Sequence, residues 1–143
     1  YMAVVESELD MLSDMMKRVA EKNISPDEKM IEMIYTRLDA VKEVVFRNGT
    51  LRANFFRDIW RVEKIRKNFD IRETELIQGI LEAGVKEGIF AMPDTEITAV
   101  VLHHALKGLE VPYIRGIMGD NISQRIKRRD NVMNLIINGI KIK

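Results

Sequence analysis

The stretch "ILEAGVKEGIFAMPDTEITAVVLHHALKGL", Ile80 to Leu109, decides the fold. Two apolar helical segments meet at a short corner of glycine, proline and aspartate. Gly88 is placed as a helix-ending glycine, and Pro93 and Asp94 open the next helix. Gly84 lies inside the first segment, where glycine costs about 1 kcal/mol against alanine, so a packing reason is expected. In the second segment Ile97, Val101, Leu102, Ala105, Leu106 and Leu109 cover an arc of roughly 200°, twice the ~100° that a surface helix buries. Only Glu96, His103, Lys107 and Glu110 share a narrow polar strip, which is expected to face water.

Outward from this corner the whole chain has helical periodicity, and no segment alternates as a strand does. The three prolines, Pro26, Pro93 and Pro112, each fall between periodic segments. Six helices are expected: Tyr1 to Lys22, Pro26 to Arg47, Leu51 to Phe69, Arg72 to Gly88, Asp94 to Glu110, and Asn121 to Lys141. Ser25 is the candidate N-cap of the second, with Pro26 at its first position and Glu28 placed for a capping box. Short corners imply antiparallel neighbours, hence an all-α antiparallel bundle.

The 143 residues suffice for one domain, and 46% hydrophobic with 31% charged residues is a globular composition. A net charge of +1 leaves no electrostatic footprint for nucleic acid, so the basic run "RIKRR", Arg125 to Arg129, is a solvated helix start. The absence of cysteine excludes disulfides and thiolate metal sites, and fits a reducing cytoplasm. No apolar run is long enough to span a membrane. Helical periodicity begins at once at Tyr1, as it would in a fragment of a longer protein.

The sixth helix is also broadly apolar, through Val132, Met133, Leu135, Ile136, Ile137 and Ile140. Helices of this kind need cover on two sides, and a second copy of the chain is the simplest second cover. The expected dimer face comprises Ile97, Val101, Leu102, Ala105, Gly108 and Leu109 with Met133, Ile136, Ile137 and Ile140. Gly108 and Gly139 lie on these faces and would allow close approach. A buried central helix in a monomer is the alternative.

"ELIQGILEAGVKEGIFAMPDTEITAVVLHHALKGLEVP" resembles the C-terminal regulatory domain of TetR-family transcriptional regulators. Gly84, Val85, Gly88, Ile89, Phe90, Asp94, Glu96, Ala99, Leu102, Leu106, Gly108 and Leu109 match the family's glycine-punctuated helix pair. The opening "VVESELDMLSDMMKRVAEKNISPDEKMIEMI" is similar to the family's long connecting helix and its successor. The resemblance implies a cytoplasmic, homodimeric repressor domain that binds a small apolar or amphipathic effector. It also implies that operator DNA is contacted by an N-terminal helix-turn-helix domain, which these residues do not include.

Candidate pocket residues come from charges on apolar stripes. Glu8 lies among Met11 and Met15, Arg37 near Val41, and Asp58 between Phe55 and Val62. A buried unpaired charge is costly, so each must reach solvent, pair, or face a polar cavity. Glu8, Met11, Met15, Arg37, Val41, Phe55, Asp58 and Val62 are the expected ligand-binding set; the alternative is a structural pair of Arg37 with Asp58 or Glu8, or Arg37 snorkelling to water. Phe56 and Trp60 face away from their helix's main stripe and need another partner.

No catalytic constellation, phosphate loop or His-Glu metal motif is present, and no cofactor is expected. His103 and His104 point about 100° apart and do not share a metal easily. The competing functional classes are a cofactor-binding helical bundle or enzyme, and a plain helical dimerisation module without a pocket.

Overall fold

The computed structural model describes residues 2–47, 64, 66–114 and 122–142. Among them run five α-helices: α1 (Met2–Ala20), α2 (Pro26–Arg47), α3 (Lys67–Lys86), α4 (Thr95–Ile114) and α5 (Ile122–Ile140). The all-helical class agrees with the sequence pattern. The expected third helix lies almost wholly outside the described residues, as do Phe56 and Trp60.

Helix α2 is the hub, because it packs against each of the other four. Helices α1 and α3 also meet, and α3 lies along α4. The apolar core is built from Leu12, Met16 and Val19 of α1, Met30, Met33, Ile34 and Leu38 of α2, and Phe69, Ile77, Ile80 and Leu81 of α3. Phe90 of the corner, Ala99, Leu102 and Leu106 of α4, and Met133, Ile137 and Ile140 of α5 complete it.

Two helix boundaries differ from expectation. No break separates Phe69 from Arg72: α3 starts at Lys67 and runs on. Nothing in "NFDIRE" resists a helix, and one continuous helix puts Phe69, Glu73, Ile77, Ile80 and Gly84 on a single buried face. Helix α4 likewise continues past Glu110 and through Pro112 to Ile114. A proline there forfeits the bond to the carbonyl of residue 108, and Gly108 is exposed, so water can satisfy that oxygen.

The corner behaves as its residues dictate. Gly88 has φ 75°, and the amides of Gly88 and Ile89 bond back to the carbonyls of Val85 (3.1 Å) and Gly84 (2.8 Å), closing α3 in a left-handed cap. The ring of Phe90 lies directly over Gly84, where a Cβ would overlap it; this is the packing reason for a glycine inside the helix. Asp94 caps α4, its Oδ1 accepting from Ile97 N at 3.0 Å. The corner is also tied to the end of α5. Ala91 N donates to Ile140 O and Ile142 N to Ile89 O, both at 2.9 Å, around an antiparallel bridge between Phe90 and Lys141.

Candidate functional site

The largest concentration of chemistry is inside the bundle, where α2, α3 and α4 meet. Arg37, Arg66, Glu73, His103 and Glu110 are all buried polar residues. Glu73 falls on the buried stripe of α3, one turn from Phe69 and one from Ile77. His103 and Glu110 fall on the inward face of α4 with Ala99 and Leu106, at the same seven-residue spacing. Arg37 projects from the middle of the hub helix between them.

The contacts run in a chain from His103 to Arg66. Arg37 Nε donates to Glu73 Oε2, and its Nη1 lies 2.6 Å from Glu110 Oε1. Arg66 grips Glu110 with both Nη atoms, at 2.5 and 2.7 Å. Both guanidinium groups also sit over the Phe69 ring, 5.7 and 5.6 Å from its centroid, so the ring serves two cations at once. Glu73 Oε1 is 2.7 Å from His103 Nδ1. Lys107 Nζ donates to Asp70 Oδ2 at 2.9 Å, extending the cluster toward the surface.

Electrostatics hold the charged forms in place. Burial pushes the Glu110 carboxyl up, but Arg37 and Arg66 together outweigh it and leave it below the usual carboxylate range. Burial pulls Arg37 down, and the nearby Glu110 and Glu73 carboxylates more than restore it. Among the described residues Arg37, Arg66 and Lys107 face Asp70, Glu73 and Glu110.

A cleft of about 640 Å³ opens above this cluster, between α3 and α4. Asp70, Ile71, Thr74 and Gln78 line it from α3, and Val100, His103, His104 and Lys107 from α4. No group of three or more metal-binding side chains is assembled among the described residues.

The expected pocket set is described only in part. Arg37 is fully buried and, among the described residues, paired with Glu73 and Glu110. Met11 and Met15 are exposed and Glu8 is half-buried, all on α1. Phe55, Asp58, Val62 and the side chain of Val41 lie outside the described residues. His103, expected in water, is 4% exposed, and Glu110 is 3% exposed, so this part of the polar strip of α4 faces inward, whereas Glu96 is exposed and Lys107 half-buried.

The expected dimer face divides in two. Leu102, Met133, Ile137 and Ile140 are buried in the subunit's own core and have little surface left to give a partner. Leu109 and Ile136 are half-buried against that core. Ile97 and Val101 remain 62% and 60% exposed, with Ala105 and Gly108 exposed on the same stripe. Among the described residues a Cβ on Gly108 or Gly139 would touch nothing, so neither glycine serves a close approach between them.

No family model and no curated protein matches the chain. A solved structure does: a transcriptional regulator from Cytophaga hutchinsonii ATCC 33406 superposes with a TM-score of 0.75 at 19% identity, over 98% of this chain and 74% of its own. At that identity the likeness establishes a shared all-helical fold. No helix among the described residues is long and apolar enough to cross a membrane.

Proposed function

We propose that these residues form the effector-sensing and dimerisation part of a TetR-like transcriptional repressor. The observation that carries this is the superposition of nearly the whole chain on one transcriptional regulator. Helix α4 supports it. The strip Ile97, Val101, Ala105 and Gly108 is an unbroken apolar row left in water by the subunit's own packing, and single scattered hydrophobes need no explanation while a contiguous row does. In this reading two copies pair along that row. A small apolar or amphipathic molecule favours one arrangement of the bundle, and DNA is contacted by residues outside this segment.

Sedimentation equilibrium is the test. The chain is expected to be dimeric at micromolar concentration, and Ile97→Glu to be monomeric with an unchanged helical circular-dichroism spectrum. A wild-type monomer at all accessible concentrations overturns the reading.

A further inference from the structure

The sequence has nine methionines and no cysteine, so thioethers are its only sulfur. The packing sets two groups of them apart. Met16, Met30 and Met33 are 0% exposed and belong to the core. Met11 and Met15 are 56% and 40% exposed, one turn apart on the same side of α1. Met15 and Met16 are neighbours in the chain, yet only the first meets water. The reason is angular: Leu12, Met16 and Val19 already form the inward stripe of α1, and Met11 and Met15 lie beside that stripe rather than on it.

A thioether has no proton to lose before it reacts, so access to the sulfur governs its oxidation. The sulfur lone pair attacks one oxygen of hydrogen peroxide as the O–O bond breaks. The proton on the transferred oxygen passes to the departing one, which leaves as water. Sulfur is oxidised, peroxide is reduced, and the thioether becomes a sulfoxide. The place of the sulfur decides the consequence. At positions 11 and 15 the new polar group is hydrated. At Met16, Met30 or Met33 it would lie in the apolar core, where a polar group without a partner is costly.

We propose that Met11 and Met15 form a reversible oxidation site on the outer face of α1, each taking one oxygen atom from hydrogen peroxide while the bundle stays folded. Asp10, Asp14, Lys17 and Arg18 are exposed on the same helix, so the sulfoxides join a surface that is already polar. Oxidation thus removes the apolar strip of α1 from the surface and leaves the core stripe untouched. The way back requires a methionine sulfoxide reductase to reach the sulfur, which the exposure of both residues permits. The inference goes beyond the regulator reading, since neither a second copy nor DNA takes part in it.

The test treats the whole 143-residue chain with hydrogen peroxide, quenches with free methionine and maps the oxygen by peptide mass spectrometry. Fragmentation of the N-terminal peptide separates Met11 and Met15 from Met16. Both exposed residues are expected to gain oxygen at least about tenfold faster than Met16, Met30 and Met33, which react only when the bundle opens. In concentrated urea the difference is expected to vanish. The chain oxidised at Met11 and Met15 should keep its helical circular-dichroism spectrum and lose both oxygens to a mixture of the two epimer-specific reductases. Core methionines that oxidise as fast as the exposed pair in the folded chain would overturn the proposal. So would a rate difference that survives in urea, unfolding on oxidation of the pair alone, or sulfoxides that the reductases do not remove. None of these results bears on the association state, so failure here and failure of the regulator reading are distinguishable.

Discussion

The two faces of α4 reverse the ordinary arrangement of a helix. Its inner face carries His103 and Glu110 beside Ala99, Leu102 and Leu106, all buried. Its outer face carries Ile97, Val101, Ala105 and Gly108, all exposed. The residue types alone would turn this helix the other way. What decides is the company each face finds: the inner strip meets two arginines from outside the helix, whereas the outer strip stays largely exposed. Charge is buried where complementary charge is already fixed, and apolar surface is left in water where a further surface can cover it.

Adjacent positions break or sharpen this contrast most strongly. Leu102→Asp places an unpaired carboxylate in the core and is expected to prevent folding, because the penalty is several kcal/mol in a domain of marginal stability. Val101→Asp, one residue away, is expected to leave the subunit folded. Circular dichroism and urea melts of the two purified variants compare them; similar losses for both would show that the faces are not distinct.

Next in size is the ionic strip itself. Glu110→Ala leaves Arg37 and Arg66 short of their shared carboxylate, and a loss of about 3–5 kcal/mol is expected in denaturant titrations. Acid should act on the same group. The folded state holds the Glu110 carboxyl below its usual range, so the unfolded chain binds the proton more tightly. Its contribution is complete above the ordinary carboxylate value of about 4.3 and is lost as pH falls through the lower folded value. The wild type is expected to lose more stability than Glu110→Ala over that acid range, and parallel pH profiles would contradict the assignment.

The smallest effect is expected at the surface. Arg72 and Asp10 also pair, at 2.9 Å, but both are well exposed. Arg72→Ala should change stability by less than about 1 kcal/mol, and less still in high salt. A larger loss would mean that burial is not what separates strong from weak ion pairs in this protein.

Local punctuation made much of the fold legible in the sequence. Pro26 and Gly88 mark a helix start and a helix end, Asp94 caps α4, and Gly84 has the packing neighbour that its cost demanded. The ionic cluster was far less legible, because its members lie as far apart as Arg37 and Glu110, and no local spacing records which carboxylate reaches which arginine. Two signals were nevertheless available. Glu73 interrupts an otherwise apolar stripe from Phe69 to Gly84, visible only once the helix is drawn without a break at residue 70. His103 and Glu110 share a face with Ala99 and Leu106. A narrow polar strip on a greasy helix is ambiguous by itself, since water and a buried counter-charge satisfy it equally.

The tie between the α3–α4 corner and the end of α5 has a consequence for how the chain can drift. Both of its bonds, at Ala91 and at Ile142, run from main-chain amide to main-chain carbonyl. Such a joint does not depend on side-chain identity. Nearly any residue can occupy positions 91 and 142 without loosening it, and proline alone removes the donor at either one. Mutational scanning of these two positions should therefore show broad tolerance with a single sharp exception. The most distant parts of the bundle would stay fastened while the letters around them changed almost freely.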